Sequence, residues 1–447
     1  MKLFGSTRSG ARLAKNMHSS HSHSAAREGG SVAVAPKKKN PLKVLSIVLA
    51  VVLFAEICYF FVVYTDNGFI SKWRSIYIET AMDTLDHKWL ATAVIPHDVI
   101  AEVMDARAET LEQQAQLESS WGPEYEAIEG EDTEPDETPV EITVVEPVDP
   151  EVKAKEEFDE YFHEVDPVSL QAYLDAHPEA LENGWANLKI NEAGLDDSGT
   201  DIKTIHGDQV LAIDMPNRIL LVRVKGSGFQ GVLALAKDPA QLYVRPSSQL
   251  WTVGETVAKI ASDNNGVLAM TGSAFIDPDG GGNGGELAGY AMYDGVGDGY
   301  GHMVRGYKRL EIHEDDRMYI KDAPSDVGEG TTDAVEFGPA LVVDGEIVVD
   351  ANCGYTGIHP RAAIGQSKKL EVMMLIIEGR LPLRSLGTNV IVCAEILEKY
   401  GCMQAMNLDG GTSAIMWYDG ETITACSNQA LPDGRPLPTA FVYERLD

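Results

Sequence analysis

A run of apolar residues from Val44 to Val63 is the feature that most restricts how this 447-residue chain is organised. Its length is close to the roughly 20 residues that a helix needs to cross a bilayer. Basic residues such as Lys37, Lys38 and Lys39 precede it, and a basic flank favours the cytoplasmic side. The pattern predicts a single-pass protein of the cell membrane, with residues 1–41 as a disordered basic cytoplasmic tail, 42–64 as the anchor, and an extracellular remainder.

A cleavable signal peptide is the competing interpretation of this run. It is weaker because the apolar part of a signal peptide is typically about 7 to 15 residues long and ends at a small-residue cleavage site. The sequence Tyr64-Thr65-Asp66 does not supply such a site. Glu56 lies inside the run, where an acid marks either a partner of the helix or a carboxyl that is protonated or displaced toward the interface.

The segment after the anchor predicts two helices, one around Ile70 and Trp73 and one from Asp98 to Leu117. We interpret residues 65–118 as a helical juxtamembrane stalk, with an oligomer formed through the stalk as one consequence. Residues 119–157 are rich in acids and proline, which is typical of an extended, self-repelling linker. Residues 158–447 then form the remaining domain.

Short strands dominate the pattern from residue 210 onward, and helices join them without regular alternation. This predicts an α+β fold, with mixed sheets and packed helices in the C-terminal domain, preceded by a single transmembrane helix and a helical, acidic stalk. Asp344-Gly345 and Asp419-Gly420 are predicted hairpin turns. A helix near residue 390 is expected to be capped by Thr388 and ended by Gly401.

The net charge limits the partners of the protein, and the cysteine content limits its disulfide bonds. The net charge of −33 argues against nucleic acid, because such a surface repels phosphate backbones. Four cysteines follow the apolar run, and outside the cell they allow up to two disulfides with three connectivities. Free buried thiols are an equally good interpretation of the four, which are Cys353, Cys393, Cys402 and Cys426.

A glycine-rich turn between two apolar runs carries the strongest functional signal. Asp409 comes at the end of a predicted strand and is followed by Gly410 and Gly411, then by Thr412 and Ser413. Paired glycines allow positive φ and leave backbone N–H groups uncovered beside the carboxylate. An isolated Asp-Gly-Gly is most often an ordinary turn, so the interpretation depends on the surrounding motifs.

Those motifs are the segments 407–413 (Asn-Leu-Asp-Gly-Gly-Thr-Ser), 359–365 (His-Pro-Arg-Ala-Ala-Ile-Gly) and 338–342 (Gly-Pro-Ala-Leu-Val). Together they resemble the phosphodiester glycosidase family, over roughly residues 210–443. The chain departs from the family pattern at residues 271–275 (Thr-Gly-Ser-Ala-Phe), where the family usually has Asn-Gly-Gly and two aromatics. It also has Glu378-Gly379 where the family usually has Asp-Gly.

The resemblance implies hydrolysis of a sugar joined through its anomeric oxygen to phosphate. Such a reaction needs a carboxylate for the oxocarbenium-like transition state and donors for the departing phosphate. The candidate catalytic acids are Asp409, Glu286 and Glu378. The candidate substrate-binding residues are Arg361 and Arg380 as phosphate clamps, with His359, Asn407, Gly410, Gly411, Thr412 and Ser413.

No cofactor is firmly implied, and any metal is unknown. The segment 277–283 (Asp-Pro-Asp-Gly-Gly-Gly-Asn) fails as an EF-hand, because glycine and alanine stand at its fifth and twelfth positions. A looser calcium loop is one interpretation, and a flexible lid over the site is the preferred one.

Two hypotheses from different classes follow. The first is a membrane-anchored extracellular phosphodiester glycosidase that acts on a phosphate-linked glycan, such as a cell-surface or exported polysaccharide, or on a small sugar phosphodiester. The second is an inactive glycan-binding or assembly module on the same fold.

Overall fold

The computed structural model describes residues 41–84, 87–122, 149–277, 282–299 and 307–446. The predicted basic tail, most of the predicted acidic linker and the centre of the 277–283 loop therefore lie outside the described residues. The chain divides into two compact units, residues 1–58 and 59–447.

The described helices include α1 Pro41–Tyr64, α2 Gly68–Met82, α3 Trp89–Thr92, α4 His97–Gln114, α5 Pro150–Tyr161, α6 Pro167–Ala176, α7 Val257–Asp263 and α8 Val390–Lys399. Helix α1 is long and apolar enough to cross a membrane, and its side chains are almost all exposed. The helices expected around Ile70 and after Asp98 are confirmed as α2 and α4.

The described strands run in chain order as β1 Lys189–Asn191, β2 Gln209–Asp214, β3 Ile219–Gly226, β4 Phe229–Ala236, β5 Leu242–Pro246, β6 Gly266–Thr271, β7 Tyr290–Tyr293, β8 Val296–Gly299, β9 Lys308–His313, β10 Met318–Asp322, β11 Thr331–Phe337, β12 Ala340–Val343, β13 Glu346–Ile347, β14 Arg361–Ser367, β15 Val372–Ile377, β16 Cys402–Leu408, β17 Met416–Tyr418, β18 Glu421–Thr422 and β19 Thr439–Glu444.

Three antiparallel sheets organise these strands. The largest has nine strands in the order β1-β2-β3-β4-β15-β14-β16-β12-β13, and the other two are β10-β9-β11-β7-β8 and β18-β17-β6-β19-β5. Helices pack on the sheets rather than alternating with parallel strands, so the α+β class is confirmed.

Strand β15 shows why the nine-stranded sheet forms the centre of the fold. Its six residues are all buried. Met374 and Ile376 face a core shared with the two smaller sheets, whereas Met373 and Leu375 face a core shared with α5, α6 and α8. A strand covered on both faces needs a continuous apolar run, as the sequence has here.

Local turn chemistry agrees with the sequence at both predicted hairpins. Asp344 and Gly345 join β12 to β13 with φ values of 49° and 82°, and Asp419 and Gly420 join β17 to β18 with 47° and 101°. Such paired positive φ values match the right-handed twist of the strands. The N-cap of α8 is Asn389, one residue after the predicted Thr388. The Asn389 side chain accepts the hydrogen bond from the Val392 N–H, and Thr388 instead forms a backbone bridge with His359.

The segment before the first sheet packs on the domain rather than extending away from it. Helix α2 presents Glu79, whose carboxylate accepts hydrogen bonds from the Thr356 hydroxyl and the Gly357 N–H at 3.0 and 2.9 Å. Helix α4 ends at Gln114, which bonds the backbone of Ala340 through both its amide nitrogen and oxygen. The Glu79 contacts fix the loop that precedes β14, and the Gln114 contacts fix the start of β12.

Candidate functional site

The candidate site lies at one edge of the nine-stranded sheet, where three neighbouring strands begin or end. Strand β14 is antiparallel to both β15 and β16, so its start lies beside their ends. Asp409 follows β16, Arg380 follows β15 by three residues, and His359 precedes β14 by two. The sheet register therefore brings together side chains that are far apart in the sequence.

Asp409 is a half-buried carboxylate whose environment favours the protonated form. Burial raises the pKa of Asp409 to about 6, and the negative charge of Asp277 acts in the same direction. The Ser413 side chain and the positive charge of Arg435 oppose this change without cancelling it. A carboxyl with a pKa near the working pH is suited to general acid–base catalysis.

The glycine turn after Asp409 uses only one of its two glycines for a left-handed conformation. Gly411 has a φ of +60°, whereas Gly410 has −102°. The Gly411 N–H donates to the Pro360 carbonyl at 3.1 Å, and the Ser413 N–H donates to the Gly410 carbonyl at 3.0 Å. The first bond holds the turn against the residue before β14 and the second closes the turn on itself. The expected concavity of uncovered N–H groups is therefore only partly present.

Two polar side chains of the turn segment are engaged elsewhere. The Asn407 amide donates to the Gly338 carbonyl at 2.9 Å and joins β16 to the segment before β12. The Thr412 hydroxyl lies 3.3 Å from the Ser427 hydroxyl. Both contacts shape the turn, and neither involves Asp409.

Arg380 lies on the other side of this turn. Its Nη1 would be 3.3 Å from a Cβ placed on Gly411, and its charge interacts with Asp409. It has no ion-pair partner within 4 Å among the described residues. One guanidinium N–H meets His359 Nδ1 at 3.3 Å, which leaves further donors for a ligand.

His359 is a buried, neutral histidine with one ring nitrogen on Arg380 and the other facing Asp83. Arg380 is a donor only, so His359 Nδ1 accepts and the ring proton is on Nε2, which lies 3.2 Å from Asp83 Oδ2. Burial lowers the pKa of His359 to about 4, and the charges of Arg361 and Arg380 act in the same direction. A neutral ring at pH 7 orients Arg380 and does not titrate near neutrality.

Asp83 and Arg107 complete this group, and sequence reasoning missed both. The two guanidinium nitrogens Nη1 and Nη2 of Arg107 contact the two carboxylate oxygens of Asp83 at 2.6 and 2.5 Å, and Nε donates to the Gly354 carbonyl. Burial acts to raise the pKa of Asp83, but His359 and Arg107 outweigh it and hold that pKa well below its usual range. Asp83 directly follows α2 and Arg107 lies within α4. No sequence motif in these segments indicates a functional residue.

Arg361 and Glu378 make structural contacts in place of the expected open positions. The buried Arg361 guanidinium donates to the carbonyls of Thr388 and Gly357 at 3.1 and 2.8 Å. The buried Glu378 carboxylate accepts two hydrogen bonds from Arg384, at 2.5 and 3.0 Å, and one from the Ala425 N–H at 2.8 Å. Both side chains are therefore committed within the protein.

Glu286 is exposed on the segment that follows the 277–283 loop. Its backbone carbonyl accepts a hydrogen bond from the Ile276 N–H at 2.8 Å. Asp277, at the start of that loop, is the acid whose charge reaches Asp409, and it pairs with Arg435 at 2.8 Å. The Arg435 guanidinium in turn lies 4.2 Å from the centre of the Phe275 ring.

Positively charged side chains fill the acidic clusters that resemble cation sites. Arg435 and the Gly282 N–H occupy both carboxylate oxygens of Asp277, and residues 278–281 of the suggested calcium loop lie outside the described residues. Elsewhere, His163, Glu164 and Glu371 converge, but Lys237 Nζ contacts the two glutamates at 2.6 and 3.0 Å. The lysine ammonium supplies the charge that a metal would supply there.

The cysteines after α1 are free, buried thiols. Burial raises the pKa of Cys393 and Cys402 to about 12, so both are protonated small apolar side chains. This arrangement agrees with the second of the two interpretations of the sequence.

Comparison with known proteins gives one family match. Residues 264–444 match the phosphodiester glycosidase family model. An uncharacterized protein derived from the SPbeta prophage of Bacillus subtilis (strain 168), YomE, is 27% identical over 203 residues, which are 43% of this chain. The matched region spans 29% of the length of that relative.

Two solved structures are similar to this chain. The catalytic domain of zebrafish N-acetylglucosamine-1-phosphodiester alpha-N-acetylglucosaminidase is 17% identical, with a TM-score of 0.43, over 58% of this chain and 88% of that one. A hypothetical protein from Synechocystis is 14% identical, with a TM-score of 0.36, over 52% of this chain and 64% of that one.

The region matched by the family model contains Asp409 and its glycine turn, Arg380, His359 and the Asp277–Arg435 pair. Residues 264–444 of this chain are therefore similar to the phosphodiester glycosidase family.

Proposed function

We propose that this protein hydrolyses the bond between the anomeric carbon of a sugar and a phosphodiester. The observation that carries the proposal is the pairing at one sheet edge of a half-buried carboxyl, Asp409, with an arginine that has no ion-pair partner among the described residues, Arg380. A sugar phosphodiester presents one developing positive centre and one departing anion, and these two side chains have the matching charges.

Asp409 is the catalytic carboxylate in this proposal. Above a pKa of about 6 it is ionised and able to stabilise an oxocarbenium-like transition state or to activate water. The leaving group is a phosphate monoester with a second pKa of about 6, so its departure needs little protonation. A second carboxyl acting as general acid therefore contributes less than it does in an ordinary glycosidase.

Arg380 is the phosphate-binding residue. A planar guanidinium is suited to bidentate contact with phosphate oxygens, and only one of its donors is used by His359. His359, held by Asp83, fixes the position of the guanidinium. In this proposal Arg361 and Glu378 hold the loops around the site, and their contacts within the protein support that role.

Membrane attachment through α1 belongs to the same proposal, with the N-terminus cytoplasmic and the catalytic domain outside. The basic residues before α1 and its apolar length support that orientation. Protease added to intact cells is expected to remove the C-terminal domain, and protection of that domain would reverse the proposed topology.

The activity test uses the full chain in phosphatidylcholine nanodiscs with a panel of sugar 1-phosphate methyl diesters. Release of free sugar is expected from the parent, and Asp409→Asn and Arg380→Gln are each expected to lower kcat/KM by at least about 100-fold, a scale found when a stabilising charge is removed. Asp419→Asn and Arg445→Gln are the matched controls, since Asp419 at the β17–β18 turn and Arg445 just after β19 form an ion pair with each other.

Two results would contradict the proposal. Equal rates for Asp409→Asn and the parent would remove Asp409 from the chemistry. Glycan binding by the parent without any turnover would instead support an inactive binding or assembly module on this fold.

A further inference from the structure

An apolar groove has Arg380 in its lining. It has a volume of about 470 Å³ and is lined by Trp73, Ile76, Tyr77, Thr80, Thr84, Ile358, His359, Arg380 and Leu386. This volume is within the range of small-molecule sites. One wall comes from α2, and the other comes from the loops around β14 and β15.

Nearly all polar atoms of the groove are already hydrogen-bonded within the protein. The hydroxyls of Thr80 and Thr84 donate to the carbonyls of Ile76 and Ala81 at 2.6 and 2.8 Å. The Tyr77 hydroxyl donates to the Leu90 carbonyl at 2.6 Å. The walls therefore present methyl groups, methylenes and aromatic faces, which favour a hydrocarbon over a sugar.

Arg380 gives this apolar groove a single charged end. The ring nitrogens of His359 face Arg380 and Asp83, so the remaining guanidinium donors are the polar contacts open to a ligand. The same guanidinium is close to Gly411 in the turn that follows Asp409. A phosphate on Arg380 would therefore lie close both to the turn that follows Asp409 and to the groove.

The surface around the groove is unusually apolar for a water-exposed surface. Phe69, Trp73 and Tyr77 of α2 are exposed, and so are Leu383 and Leu386 of the loop after Arg380. Helix α2 follows the apolar helix α1 after a connection of only three residues. Exposed aromatic side chains next to a membrane-spanning segment are typical of the lipid–water interface.

We propose that the groove binds the hydrocarbon chain of a lipid-linked sugar phosphate, in which a long-chain alcohol is esterified to the phosphate held by Arg380. This inference rests on the proposed function and adds the substrate class. Water adds to the anomeric carbon and the bond from that carbon to the phosphate oxygen breaks. The products are the free sugar and the phosphate monoester of the alcohol, with no oxidant or reductant required.

A binding experiment on the full chain in phosphatidylcholine nanodiscs tests the groove without turnover. The probes are geranyl phosphate, methyl phosphate and geraniol, with empty nanodiscs as the background. Each buried methylene is worth about fourfold in affinity, so geranyl phosphate is expected to bind at least about tenfold more tightly than methyl phosphate. Arg380→Gln is expected to weaken the binding of geranyl phosphate by about tenfold or more and to leave the affinity for geraniol unchanged.

A pair of tryptophan variants separates the groove from general membrane affinity. Trp73 lines the groove with 57% of its surface exposed, whereas Trp89 of α3 lies outside the lining with 60% exposed. Trp73→Ala is expected to remove most of the preference for geranyl phosphate, and Trp89→Ala to retain it. Equal affinity for methyl and geranyl phosphate, or equal losses in the two variants, would overturn the inference.

Hydrolysis then distinguishes failure of this inference from failure of the proposed function. Geranyl diesters of the sugar phosphates are expected to have a kcat/KM at least about tenfold above that of the methyl diesters. Equal values for both diesters would uphold the enzyme and refute the lipid-linked substrate. Tight binding of geranyl phosphate with no hydrolysis of any diester would refute the enzyme and uphold the groove.

Discussion

Replacement of Asp409 by asparagine is expected to make the protein more stable while removing its activity. The carboxyl is half-buried, and burial raises its pKa from an ordinary value of 3.8 to about 6. An acid with a raised pKa in the folded state is destabilising whenever it is ionised. The destabilisation develops as the pH rises from about 4 to about 6, and it is fully present above pH 6.

The size of the effect follows from this pKa. Each pKa unit is worth about 1.4 kcal/mol, so ionised Asp409 lowers the free energy of unfolding by about 3 kcal/mol at pH 7.5. Asparagine has a similar shape and carries no charge. For a folded unit of several hundred residues, 1 kcal/mol corresponds to about 1 to 2 °C, so Asp409→Asn is expected to raise the Tm by about 3 to 6 °C.

Thermal unfolding of the full chain between pH 4 and pH 8 measures this difference. The gain in Tm is expected at pH 7.5 and should disappear near pH 4, where the parent carboxyl is protonated. Asp344→Asn is the matched control, for which the opposite change in stability is expected. Burial acts to raise the pKa of Asp344, but hydrogen bonds from Gln404, Ser120 and Trp121 outweigh it and hold that pKa low, so this variant is expected to lose stability at pH 7.5.

A Tm for Asp409→Asn that equals or falls below that of the parent at pH 7.5 would refute this reasoning. A gain that is the same at pH 4 and pH 7.5 would also refute it, because the gain would then not come from the charge.

The remaining predictions concern the neighbours of Asp409. We expect kcat/KM to fall about tenfold per pH unit below about pH 6, measured by sugar release, and Arg435→Gln to move this limb to higher pH, because the charge of Arg435 lowers the pKa of Asp409. If the pH dependence of kcat/KM is the same in Arg435→Gln and the parent, Arg435 does not act on the catalytic carboxyl. Asp83→Asn is expected to cost about 1 to 3 kcal/mol in chemical unfolding, since Arg107 loses its charged partner. It should also raise KM more than Arg107→Lys does if His359 positions Arg380. Arg361→Lys is expected to lower the Tm by several degrees with little change in KM, because its carbonyl contacts are structural. A large rise in KM with a Tm equal to that of the parent would instead support a role of Arg361 in phosphate binding.

Local features of the fold were predictable because their causes are local. The Asp-Gly hairpins depend on positive φ at two adjacent residues, and the apolar run of β15 depends on burial of both faces. The charge relationships of the site were not predictable in this way. Glu378 follows a strand and Arg361 begins one, as expected. However, Glu378 contacts Arg384 and Arg361 contacts the Thr388 carbonyl, and both partners lie in loops whose paths no periodicity indicates.

The sequence by itself determined the apolar span, the α+β class, the glycine turn after Asp409 and the family resemblance. The span and the turn depend on residue type and spacing within one segment, whereas the class and the resemblance depend on patterns that recur along the chain. Only the tertiary structure decided which side chains share the site. Asp83 and Arg107 come from segments that resemble a stalk in sequence, and Asp83 reaches His359 while paired with Arg107. Glu79 and Gln114 fasten α2 and α4 to the domain. Coulomb interactions and burial act through space, so the pKa of Asp409 and the position of the Arg380 guanidinium near it follow from the arrangement of separate segments.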